Sequence, residues 1–201
     1  MILDKKIAAI CPIASKEATR PVLGSIYINN GKAIATDGFA LIEVGLPKEQ
    51  TEEDIPDIPG VQLSTETKLL IPAKPLESAL KLIPKKASLP ILTKAWTAKG
   101  SQDNSIKIIS TDLTTTNAPE IMQTIGEFPH TEKVKPQTQP QATVSFDPEK
   151  MITLLTAMVK AGTNRKGVTI EIREKLQPIV LTSQDDEEKD IYAILMPLNI
   201  S

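Results

Sequence analysis

A chain of 201 residues, 40% apolar, 24% charged and of formal net charge −2, reads as an ordinary soluble globular protein of one or two domains. Its one cysteine, Cys11, excludes an intrachain disulfide framework and a multi-cysteine zinc site. Its one histidine, His130, argues against histidine-based metal or triad chemistry within a single chain, and no apolar run approaches the roughly 20 residues that span a bilayer. Six aromatic residues leave the core to Ile, Leu, Val and Ala, and sixteen prolines, above the usual share of roughly 5%, should cut the chain into short elements.

At the N-terminus, Lys5 and Lys6 precede an apolar stretch over residues 7–14, the outline of a signal peptide with a short apolar region. Asp4 beside the lysines and Pro12 inside the run oppose that reading. Leu3, Ile7 and Ile10 repeat at i, i+4, i+7, so a first helix near residues 3–14 in a cytoplasmic protein is expected. Two strand-like runs follow, 25–29 and 32–36, joined through Asn29-Asn30-Gly31, because asparagine and glycine tolerate the positive φ of a tight hairpin. Thr36-Asp37-Gly38 makes the next turn, and residues 39–44 read as a third strand.

A second block repeats this order. A short strand at 69–71 leads to a helix over about 75–84, with Leu76, Leu80 and Ile83 on one face, Pro75 at its start and Pro84 at its end. Strands at 92–98 and 105–110 then reach Thr111-Asp112. The third block has a strand at 143–146, Asp147 as N-cap, Pro148 in the first helical position, and Ile152, Leu155 and Val159 turned inward. Its strands are 168–173, 178–182 and 191–196, with Gln184-Asp185 in the turn. Asp37, Asp112 and Asp185 stand 75 and 73 residues apart, as landmarks of a repeated β-α-β-β-β unit. The first copy shows no opening strand.

The fold class is therefore α+β, with helices on one face of antiparallel sheets. The exposed helix faces carry Lys5 and Lys6, then Lys74, Lys81, Lys85 and Lys86, then Lys150, Lys160, Arg165 and Lys166. Acids gather elsewhere, in the loop of residues 49–57 and in the run Asp185–Glu188. A chain of net charge −2 can thus still present a positive surface to phosphates, although lysine is common on any solvated helix.

Three segments carry a family resemblance. Arg20-Pro-Val-Leu-Gly-Ser-Ile-Tyr-Ile followed by Gly31-Lys-Ala-Ile-Ala-Thr-Asp-Gly38 resembles the middle domain of bacterial sliding clamps, the beta subunit of DNA polymerase III. Phe128-Pro129 with Lys133-Val134-Lys135-Pro136 is similar to the segment that closes that domain. The tail from Ile191 to Ser201 resembles the clamp C-terminus, with Met196-Pro197 at its Met-Pro pair. The resemblance implies a DNA-clamp fold of half-domains, a complete clamp-like domain over 1–136 (halves 1–64 and 65–136), a linker at 137–141, and a half-domain over 142–201.

It also implies a groove for the clamp-binding peptide motifs of DNA polymerase, clamp loader or repair proteins. Its walls would be Leu23, Thr36, Gly38, Phe39, Ala40 and Leu41, then Pro129, Lys133 and Val134, then Ile194, Met196, Pro197 and Leu198. Apolar walls, a close backbone approach at Gly38 and an adaptable methionine suit a peptide pocket, whereas Leu23, Ile194 and Met196 could equally be core strand residues. Phe39-Ala40-Leu41 stands where the family places His-Arg-Leu, and Asn199 replaces an arginine, so this groove is more apolar. With Arg20 added through the resemblance, the DNA-facing set is Lys5, Lys6, Arg20, Lys74, Lys81, Lys85, Lys86 and Lys150.

Duplex DNA and a second copy of the chain are the further expected partners, since a lone half-domain must cover its helix and sheet edge. No membrane, metal or cofactor is expected. The carboxylates at 37, 112 and 185–190 could offer one or two Mg²⁺ ligands, but a repeated turn aspartate more simply bonds its own backbone. His130 has no nucleophile or second base placed beside it by any motif, so an enzyme is not expected. Two readings remain: a DNA-encircling scaffold, or a peptide-binding accessory of the replisome that does not encircle DNA.

Overall fold

A computed structural model describes residues 1–47, 64, 66–84, 87, 89–164, 167–174 and 176–199. The acidic loop of residues 49–57, Lys85, Lys86, Arg165 and Lys166 lie outside the described residues. The chain divides into two compact units, Met1–His130 and Thr131–Ser201.

The first unit holds strands β1 (Ile2–Leu3), β2 (Ser25–Asn29), β3 (Lys32–Thr36), β4 (Leu41–Gly45), β5 (Leu69–Pro72), β6 (Ala95–Lys99), β7 (Ser105–Thr111), β8 (Thr116–Asn117) and β9 (Glu120–Met122). Helix α1 (Lys6–Ile10) follows β1, and α2 (Ala73–Lys81) follows β5. The β2–β3 hairpin closes on Asn30 and Gly31, at φ 48° and 72°, the paired left-handed residues of a twist-matched turn. Leu3 is not on the first helix face as expected. Asp4 Oδ1 accepts the Lys6 N–H at 2.8 Å, starting the helix later, and Leu3 becomes strand. Pro12 then ends the helix, which tightens into a 3₁₀ turn over Cys11–Ile13. In α2, Pro75 occupies the third helical position rather than the first, where its missing N–H still costs nothing.

The opening strands are exchanged. One sheet runs β4-β3-β2-β5 and the other β1-β6-β7, with β8 and β9 pairing along β7. β5, from the second block, pairs with β2 of the first, Ile71 opposite Ile26. β1 is the opening strand that the first copy lacked in sequence, and it pairs with β6 of the second block, Leu3 opposite Ala95. Each first hairpin strand thereby has its outer edge closed by the other block. α1 packs on α2, and Leu3, Ile7, Ile10, Ile26, Ile71, Leu76, Leu80, Ile83 and Ile108 share one aliphatic core beneath both sheets. Cys11 lies in that core with its Sγ donating to the Ile7 carbonyl at 3.4 Å. Burial, with the Glu77 carboxylate beside it, pushes its thiol up to about 12. A smaller cluster pins the end of the unit: Phe128 stacks on Tyr27 at 4.8 Å, against Ile34 and Leu70.

In the second unit, α3 (Pro148–Lys160) packs on the antiparallel sheet β10 (Thr169–Glu171), β11 (Ile179–Gln184) and β12 (Asp190–Leu195). Asp147 caps α3 as expected, its Oδ1 accepting from Glu149 N at 2.9 Å and Lys150 N at 3.4 Å, with Pro148 first in the helix. The buried stripe differs from expectation. Met151 and Met158 are buried, with Leu154 and Leu155 half-buried between them, while Ile152 and Val159 are exposed. Residues 151, 154, 155 and 158 form one helical stripe and 152, 155 and 159 another, so periodicity alone favours neither. Residues 143–146 form no strand and pair with none among the described residues; Ser145 O accepts the Leu198 N–H at 2.7 Å.

Because β1 completes the second sheet through a fully buried Leu3, Leu3→Ala should destabilise the protein by about 3 kcal/mol. Urea unfolding followed through the buried Trp96 on β6 measures this. A loss below about 1 kcal/mol would show that the exchanged strand contributes little.

Candidate functional site

The Thr-Asp turn is built the same way in the first two blocks. Asp37 Oδ1 accepts the N–H groups of Phe39 and Ala40, each at 2.8 Å. Thr36 Oγ1 donates to the Ala40 carbonyl at 2.6 Å and accepts the Gly38 N–H at 3.1 Å. In the second block Asp112 Oδ1 accepts from Thr114 and Thr115 at 2.9 and 2.6 Å, and Thr111 Oγ1 braces Leu113 and Thr115. Gly38 takes φ 96°, where its counterpart Leu113 takes 74°. Bonds from Ala40 and Phe39 hold the Asp37 carboxyl below its ordinary range, and those from Thr115 and Thr114 do the same for Asp112. In the third block Asp185 Oδ1 accepts from Glu187 and Lys189, at 2.9 and 2.8 Å. All three aspartates brace turns.

What the first turn presents is Phe39, 96% exposed at its tip. Ala40 and Leu41 beside it are exposed as well; Thr36 is buried as the brace, and Leu23 is half-buried. Phe39, Ala40 and Asp37 line a cleft of about 480 Å³ whose other wall is Pro12, Ile13, Ala14, Ser15, Lys16 and Glu17. That wall went unread in the sequence, since residues 12–17 carry no motif beyond Pro12. Pro129, the last groove residue of this unit, is exposed next to buried Phe128.

The other groove residues belong to the second unit. Lys133 and Val134 are exposed on a 3₁₀ turn over Thr131–Val134. β12 alternates: Leu195 points into the core, while Ile194 and Met196 are 50% and 64% exposed. Neither of these two is a core residue. Pro197 and Leu198 line a cleft of about 570 Å³ together with residues 141–145, Ile172, Arg173, Glu174 and Leu176.

Among the DNA-facing candidates, Lys5 is half-buried and Lys6, Lys74 and Lys150 are exposed. Lys81 pairs with Glu77 at 2.6 Å, and Arg20 with Glu17 at 3.2 Å. Among the described residues, no group of three or more His, Cys, Asp or Glu could hold a metal ion, and no helix is long and apolar enough to cross a membrane.

A lowered folded pKa means that the Asp37 bonds stabilise the fold above the ordinary aspartate value of 3.8 and fade as pH falls through the folded value. Asp37→Ala should therefore lower the melting temperature at pH 7, and the gap to the unsubstituted protein should narrow as the pH falls below 3.8. Thermal melts by circular dichroism test this; a gap independent of pH would show that the carboxylate charge is not involved.

No protein-family model matches the chain, and no curated protein matches it. Solved structures do. The chain aligns over 98% of its length with 48% of the DNA polymerase sliding clamp from Bacillus subtilis, at TM-score 0.69 and 16% identity. It aligns over 99% with 50% of the beta subunit from DNA polymerase of Streptococcus pyogenes, at TM-score 0.68 and 18% identity. Against the DNA polymerase III subunit beta from Pseudomonas aeruginosa the TM-score is 0.65 at 16% identity, with 98% of this chain covering 50% of that one. The chain thus has the fold of the bacterial sliding clamps and spans about half the length of the clamps it matches.

Proposed function

We propose that this chain is a non-catalytic, clamp-like scaffold that holds short peptide motifs of DNA polymerase, clamp-loader or repair proteins, as a replisome accessory that does not encircle DNA. The observation that carries this reading is the display of apolar side chains on fixed backbone. A doubly braced turn holds Phe39 almost wholly in solvent, and strand β12 holds Ile194 outward, with Met196 just past its end, beside Pro197 and Leu198. Exposed large apolar groups on rigid elements mark interaction surfaces. The lowered freedom of the turn reduces the ordering cost of binding. The repeated turn carboxylates, Asp37, Asp112 and Asp185, are engaged by their own turns, which supports a scaffold over an enzyme.

Phe39→Ala and Met196→Ala should each weaken binding of a peptide carrying a polymerase clamp-binding motif by about tenfold, with unchanged melting temperature. Isothermal titration measures both constants. If the unsubstituted protein binds no such peptide, the reading fails.

A DNA-encircling scaffold is the second reading, supported by exposed Lys6 and Lys74 on the two packed helices of the first unit. It requires retention on nicked circular duplex and loss on linearisation. Affinity should fall steeply with salt and fall again when Lys6, Lys74 and Lys81 become glutamate. Peptide binding with no dependence on the circle favours the accessory reading.

A further inference from the structure

The first unit shows what completes a block of this fold, and the second unit lacks it. Leu76, Ala79 and Leu80 of α2, with Ile83 just past it, stand 75 residues before Met151, Leu154, Leu155 and Met158 of α3. All four are buried around α2, where α1 packs against them. In α3 the central pair, Leu154 and Leu155, is only half-buried, and Ile152 and Val159 beside it are 64% and 68% exposed. The residue of α2 that corresponds to Ile152 is Glu77, whose charge acts on Cys11 in the turn after α1. That side of the helix faces the partner block in the first unit, and in α3 it is apolar and open.

The strands tell the same story. β6, edged by β1, buries Ala95, Trp96, Thr97 and Ala98; its counterpart β10 is exposed at all three positions and, among the described residues, pairs with β11 alone. The segment in the donor's place is present too. Leu70 of β5 accepts the Thr124 N–H through its carbonyl at 2.8 Å while β5 pairs with β2; Ser145, 75 residues on, accepts the Leu198 N–H at 2.7 Å and, among the described residues, belongs to no sheet. Residues 141–145 and Ile172, just past β10, line the same cleft of about 570 Å³. The second unit thus matches one half of the first unit's exchanged pair, with a segment at 143–146 in the donor's place and β10 in the acceptor's.

We propose that a second copy of this chain completes it: two second units pair across a two-fold axis, each laying residues 143–146 along the other's β10 and packing α3 on α3. The register follows from the first unit, where Leu3 meets Ala95 and Ile71 meets Ile26; Phe146 lies opposite the second copy's Val168, and Val144 opposite its Ile170. The contact is isologous, so both edges close with one operation. Charge agrees with that geometry. α3 has Glu149 beside Lys150 in its first turn and Lys160 in its last, and two antiparallel copies set each Glu149 toward the other's Lys160. A self-complementary helix suits a copy of itself better than an unrelated protein. The exchanged segment shares a cleft with Pro197 and Leu198 of the proposed peptide surface, so the pairing is read from mass and cross-linking with no peptide present.

Sedimentation equilibrium of the full chain should give twice the 21.9 kDa of one chain. The double variant Ile152→Glu, Val159→Glu alters only exposed side chains, so circular dichroism should be unchanged while dimer dissociation rises at least about 100-fold. Phe146→Cys combined with Val168→Cys should yield a covalent dimer on mild oxidation, and none when Ile152→Glu is added. A monomer throughout, up to about 100 μM, overturns the proposal. So does a dimer indifferent to the glutamates, which would pair through another surface. A glutamate-sensitive dimer whose cysteines do not cross-link overturns the strand exchange.

Discussion

Everything in the first unit depends on closing two sheet edges. A hairpin strand with a bare edge exposes unpaired N–H and C=O groups and half of its apolar face. β2 and β6 both meet this constraint by accepting a strand from the opposite block. That choice forces the rest. The exchanged strands run directly into α1 and α2, so the helices are drawn together, and the two aliphatic stripes merge into a single core. Two small, aromatic-poor blocks that could bury little separately become one body with enough interior to be stable.

With the edges closed, the hairpin turns are free for display. The side-chain oxygens of Thr36 and Asp37 satisfy the backbone of their own loop, so Phe39 can stand in solvent without a packed neighbour to hold it. The second block uses the same brace but puts Thr114 at the tip and Leu113 in the left-handed position. One turn chemistry thus supports two different surfaces, and only the first carries an aromatic side chain.

Local chemistry was legible in the sequence. Asn29-Asn30-Gly31, the Asp147-Pro148 cap and the Thr-Asp turns act through neighbouring atoms, and the residues alone announce them. The alternation around Leu195 likewise places Ile194 and Met196 on a common face, but which face is inside depends on where α3 lies. Long-range features stayed hidden. β1 is two residues long, and its partner strand lies far along the chain, so nothing near Ile2 and Leu3 distinguishes strand from helix. α3 carries two overlapping apolar stripes, and its buried one is selected by the sheet beneath rather than by period. The cleft wall at residues 12–17 owes its place to the tight turn after α1, which only the folded chain reveals.

The buried Cys11 has a use as a clock. Its thiol lies in the common core and hardly ionises at neutral pH, so a thiol-specific reagent finds almost no nucleophile while α1 and α2 remain packed. Modification must wait for the helices to part. Its rate, compared with that of the denatured chain, reports the free energy of local opening at the junction of the two blocks, without any label being added to the protein.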